Sequence, residues 1–279
     1  TEGHDKLTIG ACCLSEFKSF FSKYDYEAFF PNLYELPIAK EMYGFDNAGE
    51  YVRSSYHGGW CYLVKGKQSK VYTNGSTADV NSLYPSMMSS ESGNYYPIGK
   101  PTFVDLKDVD KSDYNFWLRM INSNDTSKYF FIRIKTRFHI KPNKLPFIHI
   151  RNSFRFKQNE SIETTDWIGK DGKRYKYYWF GKKKEELYLE DTAVTMTLTQ
   201  TDFKLFLEHY DVENLELLDL CYFSTAIGLF DEYMQKYKEI KQNSKGAMRE
   251  LAKLFLNNLY GKMAASTDSS FKVPVLRDD

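Results

Sequence analysis

From Phe131 to Ile140 the chain alternates apolar with basic or polar residues (residues 129–140 read YFFIRIKTRFHI). A period of two is the mark of a strand with one face buried, so a β-sheet must be part of the fold. Strand patterns recur at 60–64, more weakly at 71–79, and at 147–150, 175–180, 186–189, 192–199 and 213–223. Helical patterns stand elsewhere. Residues 15–23 read as a short helix capped by Ser15, and residues 202–210 as one capped by Thr201. The tail changes character, with two helical segments, 229–242 and 246–262, meeting near Gly246. Residues 24–50, punctuated by Pro31, Pro37, Gly44 and Gly49, read as irregular, and Pro85 as a break at a strand-to-helix corner. The expected fold class is α+β.

Composition narrows the function classes. Hydrophobic residues make up 42% and aromatics 17% of 279 residues, enough for packed cores and too much for a disordered chain. Net charge is +1, so any nucleic-acid contact must come from local arrangement rather than a global basic excess. Cys12, Cys13, Cys61 and Cys221 form no CxxC pair, and the five histidines share no metal spacing, so neither a zinc framework nor a disulfide scaffold follows. The thiols suit a reducing cytoplasm. No apolar run is long enough to span a membrane, and no signal peptide is present. The chain opens on Thr1 and closes on Arg277-Asp278-Asp279, and both ends read as cut.

Two segments carry chemistry. In Asp79-Val80-Asn81-Ser82-Leu83-Tyr84-Pro85-Ser86 an acidic residue closes a weak strand and a tight turn follows. Such a corner can aim a carboxylate at a cation and backbone N–H groups at phosphate. A plain Asp-capped turn fits the same spacing. In the second segment, Arg249, Lys253, Asn257 and Tyr260 fall within about 80° of one another on a helix, with Met248, Leu251, Phe255 and Leu259 opposite. A cationic stripe on a rigid helix can hold a polyphosphate, and a solvated basic face has the same pattern.

These segments bear a family resemblance. Asp79–Ser86 is similar to motif A of family B DNA polymerases (D-x-x-S-L-Y-P), and Lys253–Gly261 to motif B (K-x-x-x-N-S-L-Y-G). Tyr56-His57-Gly58-Gly59 resembles the Y-x-G-G signature that precedes motif A. The wide separation of the two motifs resembles the protein-primed branch of phages and linear plasmids. That branch carries between them an insertion that contacts a priming terminal protein.

The resemblance implies a partial palm over 1–90, a β-rich, terminal-protein-binding insertion over 91–228, two fingers helices over 229–264 and the start of a second insertion over 265–279. It implies DNA-directed DNA polymerase activity: addition of a dNTP to a 3′-hydroxyl, or to a terminal-protein hydroxyl, with two Mg²⁺ ions or Mn²⁺ in their place. Asp79 is the implied catalytic carboxylate, and Asp79 with the Val80 carbonyl the implied metal ligands. Ser82, Leu83, Tyr84, Lys241, Arg249, Lys253, Asn257 and Tyr260 are the implied nucleotide-binding set, with Tyr84 excluding a ribose 2′-hydroxyl. Tyr56, Gly58 and Gly59 are implied to contact template-primer DNA. The implied location is the cytoplasm of a bacterial or phage-infected cell.

Three departures stand out. Asn258 replaces the usual Ser of motif B, and the exonuclease motifs are missing. Motif C (Y-x-D-T-D), which supplies the second metal-binding carboxylate, is also missing. Two readings follow: an inactive piece of a replicative polymerase, or a non-catalytic module that binds DNA or the priming protein. The basic, aromatic stretch Lys170–Lys184, with a turn at Asp171-Gly172, is either a partner-facing surface or a solvated hairpin.

Overall fold

A computed structural model describes residues 6–64, 66–150, 156, 160–168, 174, 175, 177–180, 188–191 and 193–265. The expected second insertion at 265–279 lies outside these residues but for Ala265, as does the turn at Asp171-Gly172. The helices are α1 (Ile9–Ser19), α2 (Lys23–Phe29), α3 (Lys40–Tyr43), α4 (Ala48–Ser54), α5 (Leu83–Met88), α6 (Lys111–Asn122), α7 (Gln200–His209), α8 (Asp231–Asn243) and α9 (Ala247–Met263). The longer strands are β1 (Tyr96–Asp105) and β2 (Lys128–Ile140). The short strands β3 (Trp167–Ile168), β4 (Arg174–Tyr175), β5 (Tyr177–Phe180) and β6 (Tyr188–Asp191) precede β7 (Val194–Thr199) and β8 (Tyr210–Ala226). The α+β class holds.

The chain folds as two compact units, residues 1–29, 76–96 and 226–279 in one and residues 30–75 and 97–225 in the other. The first unit is helical. Phe17 of α1 is fully buried, stacks on Phe230 at 5.2 Å and meets Tyr233 of α8 edge-on. Tyr233 donates to the Phe255 carbonyl of α9 at 2.9 Å, and Tyr237 stacks on the Phe255 ring at 4.7 Å. Buried Glu16 pairs with Lys236 at 2.5 Å. Gly246 takes φ +59° and ψ −137°, a conformation that suits glycine at the sharp turn from α8 to α9.

In the second unit the sheet runs β1-β8-β2-β7, with β2 antiparallel to both neighbours. Ile132, Ile134 and Phe138 of β2 enter one core with Leu198, Phe203, Phe206 and Leu217. Phe131 enters another with Tyr51, Cys221 and Phe223. The strand expected to be half-buried is therefore covered on both faces over part of its length. Asp219 of β8 is fully buried. It accepts from Arg133 Nε at 3.0 and 3.1 Å and from the Tyr51 hydroxyl at 2.8 Å, and Lys107 lies 3.5 Å away. Burial above all, then the Asp219 charge, pushes the Tyr51 phenol well above its ordinary pKa, so it remains a donor.

Several expectations are corrected. Helix α1 begins at Ile9 because Thr8 caps it, accepting from Ala11 N at 3.2 Å, which leaves Ser15 inside the helix. Thr199, not Thr201, caps α7. Residues 24–50 contain most of α2, all of α3 and the start of α4, with Asn47 capping α4 through Glu50 N at 2.8 Å. Residues 60–64, 71–79 and 147–150 form no strand. A strand needs a hydrogen-bonded partner strand: 60–64 and 71–79 have none among the described residues, Val71 is 94% exposed, and 147–150 makes one backbone bond to a neighbouring segment, from Ile162 N to Ile148 O at 2.9 Å, while its Phe147 and Ile148 N–H groups go to the Tyr210 hydroxyl. Pro85 does not break the chain. It sits in the first turn of α5, where a missing N–H removes no helical bond. Strand β1 and helix α6 lie where no element was expected.

Candidate active site

The turn before α5 and the polar face of α9 border one cavity in the first unit. Its volume is about 780 Å³. One side is the run Asp79 to Tyr84, and the other is Lys241 with Arg249, Glu250, Lys253, Leu256 and Asn257. Leu256, 2% exposed, belongs to the packed side of α9. Arg249, Lys253 and Asn257 are exposed. The amphipathic reading of α9 thus holds at Phe255 and Leu259, both buried, while Met248 in the first turn is 50% exposed.

Local backbone shapes the turn. Ser82 adopts the left-handed region (φ +52°, ψ +45°), which bends the chain from the extended run into α5. The first α5 bond runs from Ser86 N to Ser82 O at 2.9 Å, so the N–H groups of Leu83 and Tyr84 precede it. The Ser82 hydroxyl accepts from Lys241 Nζ at 3.4 Å, which brings α8 onto the turn. Tyr84 stacks on Tyr260, ring centroids 4.4 Å apart and planes 19° apart. The tyrosines of the two motif-like segments therefore form one face-to-face pair. Asn258 donates back to Leu254 O at 2.8 Å, so the departure from the motif serves its own helix.

Electrostatically, three cations face two carboxylates, Asp79 and Glu250. Among the described residues, no three His, Cys, Asp or Glu side chains cluster as a metal cage. One carboxylate and a main-chain carbonyl nevertheless suit Mg²⁺, which keeps several waters and takes further oxygens from a bound polyphosphate. A second cavity, of about 490 Å³, shares Ser82, Lys241, Arg249 and Leu256, and adds Pro85, Lys238 and Gln242.

All the expected metal and nucleotide residues lie in the first unit, and all but Tyr260 line the larger cavity. Tyr260 joins through its stack on Tyr84. Glu250 and Lys238 were missed. Glu250 stands three residues before Lys253, hence about 60° around the helix, and a helical projection could have found it. Tyr56, Gly58 and Gly59 lie in the second unit. Tyr56 is half-buried with the Arg53 guanidinium 4.4 Å above its ring, and both glycines are exposed, with open space where a Cβ would stand.

Residues 4–279 match the model of a family described as DNA polymerase type B, organellar and viral. The chain belongs to this family. The DNA polymerase of Bacillus phage Nf is 32% identical over all of this chain and 40% of its own length. That of Bacillus phage phi29 is 30% identical with the same coverage. A solved phi29 DNA polymerase matches with TM-score 0.71 and 29% identity, over 100% of this chain and 40% of the other. Another, complexed with primer-template DNA and incoming nucleotide substrates, matches with TM-score 0.70 and 28% identity, over 99% and 40%. The chain thus spans about two-fifths of the length of these DNA polymerases. No helix among its described residues is long and apolar enough to cross a membrane.

Proposed function

We propose that this chain supplies the nucleotide-holding part of a protein-primed DNA-directed DNA polymerase. The observation that carries the reading is the single cavity between Asp79–Tyr84 and the cations Lys241, Arg249 and Lys253. Lys253 and Arg249, on one face of a helix, neutralise the triphosphate, and Lys241 closes on it beside Ser82. The N–H groups of Leu83 and Tyr84 and the Ser82 hydroxyl offer further donors. Asn257 and Tyr260 border the nascent base pair, and Tyr84 fills the space a ribose 2′-hydroxyl needs. The Asp79 carboxylate and the Val80 carbonyl would hold Mg²⁺, or Mn²⁺, which when bound activates the attacking oxygen and stabilises the leaving pyrophosphate. The protein's own part is positioning and charge neutralisation, as in phosphoryl transfer generally.

On this reading Tyr56, Gly58 and Gly59 contact template-primer DNA, and the region 91–228 faces the terminal protein that offers the priming hydroxyl. Residues 1–90 form part of the palm, 229–264 the fingers, and the setting is the cytoplasm of a bacterial host. The reading is tested in a protein completed to the length of its relatives. Asp79→Asn should abolish primer extension and leave primer-template binding within a few-fold of wild type. Extension at the wild-type rate would contradict it.

A further inference from the structure

The two cavities of the first unit differ in the charge of their walls. Among the described residues, the smaller is lined by Lys238, Lys241 and Arg249 and by no carboxylate. The larger shares Lys241 and Arg249, adds Lys253, and sets Asp79 and Glu250 against them, so three cations and two carboxylates leave one net positive charge. On the polymerase reading Asp79 is a metal ligand, whereas Glu250 has no role. It stands on α9 between Arg249 and Lys253 and is exposed. Gly246 and Leu254, one turn before and one turn after it, offer no cation. Among the described residues it forms no ion pair with Arg249, Lys253 or any other side chain. An acid in the first turn of a helix complements the positive end of the helix dipole. That role is indifferent to what enters the cavity.

A carboxylate in the wall of a polyphosphate cavity repels a bare polyphosphate. The ligand that tolerates it brings its own cation. A divalent ion on the phosphates cancels two of their charges, and the waters that Mg²⁺ retains can donate to carboxylate oxygens. We propose that Glu250 is a specificity-determining residue, which makes the larger cavity select the metal-loaded nucleotide over the metal-free one. Arg249 and Lys253 on the same helix attract both forms, and Glu250 between them penalises the more negative form. The proposal deepens the polymerase reading, on which it rests for the identity of the ligand as a nucleoside triphosphate.

The test is the dissociation constant of dATP for the 279-residue chain, measured once with Mg²⁺ and once with EDTA. Glu250→Gln should tighten metal-free binding about tenfold and Mg²⁺-dATP binding no more than about threefold, so that the preference for the metal-loaded form shrinks. Raising the salt from about 0.01 to about 1 M should erase most of the gain, because the screening length falls from about 30 to about 3 Å. Glu239→Gln is the control. Glu239 is an exposed carboxylate of α8 that lines neither cavity, so its loss changes net charge equally and should leave the preference as in wild type. The proposal is overturned if Glu250→Gln tightens both forms equally, tightens neither, or acts only as Glu239→Gln does. Metal-free binding that stays undetectable in Glu250→Gln at millimolar dATP also overturns it. Lys253→Ala separates this failure from that of the polymerase reading. If it weakens both forms while Glu250→Gln alters neither, the proposal alone falls. If dATP binding is indifferent to Lys253→Ala, the polymerase reading falls, whatever Glu250→Gln does.

Discussion

Tyr84 concentrates the proposed chemistry at the scale of one residue. Tyr84 is 46% exposed with its ring stacked on Tyr260, an arrangement suited to gating rather than to filling a core. In the completed enzyme Tyr84→Val should raise ribonucleotide insertion by orders of magnitude more than it changes deoxynucleotide insertion. That is a differential of a few kcal/mol at about 1.4 kcal/mol per tenfold. Equal loss for both nucleotides, with a lowered melting temperature, would instead make Tyr84 a packing residue. Asp79, Tyr84 and Lys253 were legible in the sequence because each sits in a contiguous motif. The Tyr84–Tyr260 stack was not, because it joins residues far apart in the chain. Glu250 was missed because a carboxylate beside a cationic stripe reads as ordinary surface charge.

Among the elements, β8 depends on a buried charge. Asp219 has no exposure and is held by Arg133, Tyr51 and Lys107, so removing it strands a largely buried guanidinium. Asp219→Ala should cost the chain about 3–5 kcal/mol in urea unfolding, and pairing it with Arg133→Met should recover part of that. A loss below about 1 kcal/mol would show the network to be dispensable. Tyr51 adds a pH dependence with a definite sign. Its phenol is raised in the folded state, so its contribution is complete below the unfolded value of about 10 and is lost as pH climbs through the higher folded value. Tyr51→Phe should flatten the alkaline limb of the stability profile, and an unchanged limb would contradict the assignment. Strand β2 and the helices α8 and α9 could be read because their apolar residues recur at strand or helix spacing in the sequence. The runs 60–64 and 71–79 have strand-like composition but no strand neighbour among the described residues. Composition reports what a pleated surface would accept, not whether one is there.

For the whole molecule, near-zero net charge conceals segregation: cations face the cavity of the first unit, and the stretch 51–78 carries cations alone. Primer extension by the purified 279-residue chain should give no product above background, because among the described residues Asp79 is the one carboxylate on the turn side of the cavity, Glu250 stands among the cations of α9, and the sequence holds no Y-x-D-T-D. Metal-dependent extension that disappears in Asp79→Ala would reveal another carboxylate in the second role. The most direct measurement of the central claim is calorimetric titration of the chain with dATP and Mg²⁺. The account predicts saturable binding that Lys253→Ala and Arg249→Ala each weaken about tenfold, and that Asp79→Asn weakens only when Mg²⁺ is present. Binding indifferent to all three substitutions, or no binding at millimolar dATP, would contradict it.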